Sequence, residues 1–473
     1  MKKGKILIIL TLLLTCTFLT ACAPGGKDLR PEQEENVLTY AALTPVDNEL
    51  QNRINKFNQD HEDIQIEVLD YSDENGIQRL FTELALGRVP DIMELYKEGD
   101  PGRPSAEGVQ TRYNRDYLGE YWLPYRQMAQ RGYLEDLWPY IENDPELGRE
   151  ALLEAPLKAA EVNGSLYMLF KHMSIATLTG AESVVGERYG WTLEELLETF
   201  STMPEGSTIM RYSATRWDIY SRVLSPALDQ FIDWEAGTCS FDSENFRILL
   251  EFLNALPDKV DLPASLDERN EEFARREFGG LQMLEAECLY SLNTFIYADA
   301  YFGGDERASF VGFPTADGSS GSFFRPEGRI LAMSSVCEHK EAAWDFMRQL
   351  IVRKYRSTGA IKNDRWYMKI HIPVNREDYE IGNRYDMGER PEDLPPHRAY
   401  RGGPKVKVYP PTEEHLQRFE TLMNSITRLY WPDDALSDLV WDAIGPYFAG
   451  DKTMDQVIDL VQNRAGLYVS ESS

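Results

Sequence analysis

The chain has 473 residues, with 49 Lys and Arg against 78 Asp and Glu, for a formal net charge of −29. That balance argues against a nucleic-acid binder, which needs a positive field to collect phosphates, and it works against adsorption on anionic lipid. The length exceeds one ordinary core and suits two lobes of roughly 200 residues each.

Residues 1–21 read as an export signal. Lys2, Lys3 and Lys5 form a charged head, an apolar run follows to Leu19, and Leu19-Thr20-Ala21-Cys22 offers small residues before a lipid-attachment cysteine. The apolar run is about fourteen residues, short of the roughly 20 a spanning helix needs, so cleavage is expected rather than a retained anchor. The mature chain is then expected to begin at an acylated Cys22, with residues 22–36 as a flexible tether to the membrane.

Residues 37–41 read as a short apolar strand, followed by a turn at Pro45 and a helix carrying Leu50, Ile54 and Phe57. Ile64, Ile66 and Val68 alternate with polar residues as a strand does. The next helix places Ile77, Leu80, Phe81, Leu84 and Ala85 on one face and stops at Gly87, before Pro90. Asp91 then leads a strand over 92–95. This order predicts an α/β layer with a parallel sheet, whose loops at 42–47 and 96–103 leave the carboxyl ends of strands and line a crevice.

Farther along, Asn163-Gly164 marks a tight turn into an apolar extended stretch, and Thr192 with Glu195 forms a capping box. A helix from Ser243 carries Phe246, Leu249, Leu250 and Leu253. Residues 281–286 read as a buried strand, 311–321 as an apolar piece with a flexible glycine-serine loop, 329–333 as a strand and 340–350 as a helix. Residues 376–408, rich in Pro, Gly and charge, are expected to be a surface insertion. Helices around 416–429 and 454–468 flank Trp431, Trp441 and Tyr447.

Cys239, Cys288 and Cys337 are odd in number and lack metal-ligand spacing. Buried small hydrophobes are the expectation, with one disulfide left open. The six histidines are scattered, and neither His-Glu-x-x-His, Gly-x-Gly-x-x-Gly nor a P-loop is present, so no metal and no cofactor is expected.

Several segments resemble the extracellular solute-binding proteins of family 1, the carbohydrate-binding components of ABC importers. Leu84 to Ile92 is similar to that family's helix-Gly-x-x-Pro-Asp-strand junction, and 311–321 to its Gly-Tyr-Pro-x-x-Asp-Gly loop, with Phe313 in place of the Tyr. Residues 341–346, Ile372-Pro373-Val374-Asn375 and the tail from Phe448 also look like family segments, in family order. The resemblance implies a two-lobed α/β, periplasmic-binding-protein-like fold of class II topology with hinge-crossing segments. Lobe one would hold 37–156 and 318–365, and lobe two 157–317 and 366–473. It also implies a monomeric protein without enzymatic activity, lipid-anchored on the extracytoplasmic face of the cell membrane, that delivers a carbohydrate, an oligosaccharide, to importer transmembrane subunits.

A sugar leaving water needs an aromatic plate for its apolar face and short polar side chains for its hydroxyls. Asp47 and Glu49 beyond the first strand, and Tyr96 and Glu98 beyond the third, are candidates for ligand contact. Tyr167 and Phe170 join them near a hinge crossing that the family layout implies. Trp217 and Asp218 offer a second-lobe wall, Glu285 and Tyr290 follow the 281–284 strand, Phe324 and Arg325 follow the glycine-serine loop, and Trp431 precedes Pro432. Two other readings stay open: a binder of a peptide or other polar solute, and a surface-anchored glycoside hydrolase with two carboxylates about 5 to 9.5 Å apart.

Overall fold

The computed structural model describes residues 36–98, 121–210, 215–234, 236–261, 279–300, 307–352, 371–388 and 411–472, with a few short pieces between them. The signal segment, Cys22 and the tether lie outside these residues.

The first strand, β1 (Val37–Ala42), is followed by helix α1 (Asn48–Asp60), which buries Leu50, Ile54 and Phe57 along one stripe. Next come β2 (Gln65–Asp70), α2 (Gly76–Ala85) and β3 (Ile92–Glu94). Both β2 and β3 pair with β1 in parallel, so the expected α/β layer is present with β1 in the middle. Asp91 fixes the junction before β3: its carboxylate accepts from the Thr39 amide at 2.8 Å and the Thr39 hydroxyl at 2.7 Å. A short ladder follows between β4 (Tyr96–Lys97) and β5 (Tyr121–Trp122).

Asn163 and Gly164 both take positive φ, 53° and 80°, and close the tight turn between Val162 and Ser165. The chain then enters a 13-residue strand, β6 (Leu169–Ala181). Helix α3 (Leu193–Ser201) starts on the expected Thr192–Glu195 capping box. Beyond it lie β7 (Leu284–Leu289), β8 (Ala308–Ser309) and the 11-residue β9 (Phe323–Met333), and then α4 (Lys340–Met347), β10 (Ile372–Pro373) and α5 (Arg376–Gly388). The chain ends through α6 (Glu413–Ser425), β11 (Arg428–Leu429), α7 (Asp434–Phe448) and α8 (Met454–Ser472).

One mixed sheet organises these strands in the order β8-β6-β9-β3-β1-β2, with β7 and β10 also on β6 and β11 on β9. The long strands β6 and β9 run antiparallel to each other and link two apolar cores. Leu169, Phe170, Met173 and Ile175 of β6 and Phe324 and Ile330 of β9 belong to the first core, built mainly on β1–β3. Leu178 and Phe323, from the same two strands, belong to the second, with Trp191, Tyr220, Phe246 and Val440.

Three local expectations differ from what is found. The strand near 281–286 begins three residues later, at Leu284, because Glu285 and Glu287 sit in the ladder opposite Thr179 and Thr177, where carboxylates mask the strand pattern. Residues 311–321 form a tight packed connection rather than a flexible loop, with Gly312 bridged to Gly321. The stretch from 376 starts as helix α5, and Asp378, Tyr379, Asn383 and Asp386 are all buried. Its inward side is mostly polar, so it shows no apolar period. Cys239, Cys288 and Cys337 are free thiols, Cys288 and Cys337 being buried.

Candidate binding groove

The richest concave surface lies where the two cores meet. Its volume is about 390 Å³, and it is walled by Trp122, Trp217, Trp234, Phe323, Tyr430 and Trp431. Each ring is placed by its backbone. Trp122 sits in the β4–β5 ladder, opposite Tyr96, with ring centres 4.3 Å apart. Pairing of β11 with β9 carries Tyr430 past Phe324, whose carbonyl accepts the Tyr430 amide at 2.7 Å. Trp431 follows; its indole N–H donates to the Leu123 carbonyl at 2.8 Å, and its ring meets Trp122 and Tyr125 edge-on at 4.8 and 4.7 Å.

Trp217 enters from the other core. A Thr215–Asp218 capping box starts the short helix Arg216–Ile219 and holds Trp217 against Tyr220 and Trp441, at 5.9 and 4.8 Å between centres. Its side chain remains 38% exposed, which leaves ring face for a solute. The Trp234 indole N–H is buried and has no hydrogen-bond partner among the described residues.

Polar groups surround this aromatic wall. Arg325 projects from β9, its guanidinium 5.9 Å from the Trp122 ring centre and 5.6 Å from that of Tyr430. Asp229 pairs with Arg428, which in turn lies over Phe323. Asp433 caps α7, accepting the Leu436 amide and the Tyr468 hydroxyl, each at 2.9 Å. Burial pushes its carboxyl above the usual range, against the opposing pull of those donors and of the Arg126 cation. Arg126, Asp434 and Asp438 complete the charged lining.

Of the residues singled out in the sequence, Trp217, Arg325 and Trp431 are brought together here. Tyr96 stands one ring behind, against Trp122, and Asp218 serves the helix cap beside Trp217. The others lie elsewhere. Asp47 caps α1 through the Leu50 amide at 2.8 Å, Glu49 pairs with Arg53 at 2.5 Å, and Glu98 is exposed beyond β4. Tyr167 packs half-buried on the first core, while Phe170 and Phe324 lie wholly inside it. Glu285 is buried and accepts from Gln282 at 2.8 Å; Tyr290 meets the ring of His371 at 5.3 Å.

Trp122, Arg126, Asp229, Trp234, Tyr430 and Asp433 line the groove without having been singled out. The run Tyr430-Trp431-Pro432-Asp433, aromatic residues directly before a helix cap, was the one local signal for two of them.

No sequence-family model matches the chain, and no curated protein does. Solved structures do. A periplasmic oligogalacturonide binding protein from Yersinia enterocolitica aligns over 92% of this chain and 99% of its own, at 14% identity and a TM-score of 0.52. The sugar-binding protein MalE from Xanthomonas citri aligns over 92% and 98%, at 13% identity and a TM-score of 0.50. An extracellular solute-binding protein family 1 from Alicyclobacillus acidocaldarius covers 92% and 98%, at 12% identity and a TM-score of 0.46. The first two show that the chain has the periplasmic-binding-protein fold.

Proposed function

We propose that this protein is the substrate-binding component of an ABC importer, lipid-anchored through Cys22 on the extracytoplasmic face, and that it captures an oligosaccharide between two lobes for delivery. The observation that carries this reading is the meeting of four indoles, from both apolar cores, in one groove fringed by Asp and Arg. Flat rings cover the apolar faces of sugar rings, and carboxylate or guanidinium groups replace the water lost by the hydroxyls. The fold is shared with proteins described as binding oligogalacturonide and sugar, which supports the same class of ligand.

The two cores correspond, in this reading, to two lobes, and β6 and β9 form the hinge between them. Ligand binding draws the walls together, and the closed form docks on the importer while no bond of the solute is broken. Trp217, Arg325 and Trp431 are assigned to ligand contact, together with Trp122, Trp234 and Tyr430. A dissociation constant on the order of micromolar, about 8 kcal/mol, suits reversible delivery.

A panel of purified oligosaccharides and peptides, measured by calorimetry, tests this. At least one glycan is expected to give saturable heat, without release of shorter products. Trp217→Ala is expected to weaken it about tenfold, the equivalent of about 1.4 kcal/mol of lost stacking. Heat from peptides alone, or glycan turnover, overturns the assignment.

A further inference from the structure

The charges around the groove are unequal. Four carboxylates face it, from Asp229, Asp433, Asp434 and Asp438, against the two guanidinium groups of Arg126 and Arg325. The cations also have prior engagements. Arg325 lies over two rings of the wall, Arg126 lies 5.5 Å from the Tyr125 ring centre and acts on Asp433, and the nearby Arg428 is held by Asp229.

Asp434 and Asp438 are one helical turn apart on α7, both exposed on the groove side. Their field is felt locally: the Tyr121 hydroxyl is pushed up first by burial and then by Asp433 and Asp434. An anionic solute therefore meets surplus carboxylate and gains no cation that is not already in use. A neutral glycan meets the same carboxylates as hydrogen-bond acceptors for its hydroxyls.

Resting on the carbohydrate reading above, we propose that the groove selects by charge, accepting uncharged oligosaccharides and rejecting those built from uronic acids. Like-charge exclusion of this kind sets specificity through the disfavoured partner as much as the favoured one. Asp434 and Asp438 are its main determinants, since Asp229 is neutralised by Arg428 and Asp433 is committed to its helix cap.

The test uses glucose and galactose oligomers, each beside the uronic acid oligomer of the same length and linkage, titrated into the full protein. At about 20 mM salt the neutral member of a binding pair is expected to bind at least ~10-fold more tightly, and the gap should narrow at about 0.5 M salt through screening. Asp434→Asn with Asp438→Asn should narrow it at low salt too, thermal melts confirming the fold. A uronic acid oligomer binding as tightly as its neutral partner overturns the charge rule alone. So does a gap that neither salt nor the double variant changes. If no oligomer of either kind gives heat, the carbohydrate reading itself falls, and the charge rule falls with it.

Discussion

Arg329 and Glu94 form an ion pair in the first core, their side chains only 14% and 1% exposed. Glu94 earns its place there by filling its lone pairs: it accepts from the Tyr40 hydroxyl at 2.6 Å and from the Leu43 and Thr44 amides at 2.9 and 2.8 Å. Arg329 also donates to the Pro45 carbonyl at 2.8 Å, so the pair clamps the loop after β1. Removing one partner leaves the other charge buried. Arg329→Met is expected to destabilise the protein by about 3–5 kcal/mol in urea unfolding, and adding Glu94→Gln should recover a large part of that loss. Asp433 supplies a prediction of pH dependence. Its raised folded-state value means that the native chain holds the proton more tightly than the unfolded one. The resulting stability is complete below the unfolded carboxylate value of about 3.9 and is lost as pH rises through the folded value. Asp433→Asn keeps an N-cap acceptor and has no proton to lose. Its melting temperature relative to the native protein should therefore rise between about pH 4 and pH 7, and a difference constant over that range would contradict the assignment.

The connection 311–321 shows how two glycines define an element. Gly312 has φ +70°, and a Cβ on Gly321 would lie 1.6 Å from the Phe313 carbonyl oxygen, so the backbones touch where a side chain would stand. The contact is held by Phe313 N–H donating to the Gly321 carbonyl at 3.2 Å and by Gly312 N–H donating to Leu178 of β6 at 3.1 Å. Gly321→Ala is expected to cost about 3 kcal/mol, the upper end of ordinary overpacking, readable as a lower urea midpoint with an unchanged slope. Glycine and serine composition alone does not distinguish such close packing from a loose loop. Elements whose signals are local were legible: the α1 stripe of Leu50, Ile54 and Phe57, the Thr192–Glu195 box and the Asn163-Gly164 turn. Those whose pattern depends on partners far away were less so. Glu285 is buried through a hydrogen bond from Gln282, and α5 turns polar residues inward, with Asn293 donating to Asp386. Neither follows an apolar period.

At the scale of the whole molecule, the groove is assembled from β5, the helix at Arg216–Ile219, β9 and the segment between β11 and α7, which are distant in sequence. Strand order placed Tyr96 beside the right ladder, but Trp122 in front of it depends on the β4–β5 pairing, and Trp234 on a contact across 104 residues with Gln130. Burial explains the opposite case: Phe324 and Arg325 are adjacent, yet strand alternation sends one into the core and the other to the groove. The same alternation bears on movement. Because β6 and β9 contribute to both cores, rotation of one core against the other must bend these two strands. The β6–β9 register already shifts between Glu327 and Ile330, where Gly328 has φ +76°. If the groove closes about these strands, saturating oligosaccharide should reduce the radius of gyration in solution scattering, and Trp217→Ala should require more ligand for the same change. Ligand that gives saturable heat while leaving the scattering curve unaltered would mean a rigid groove, and capture would then have to work without closure.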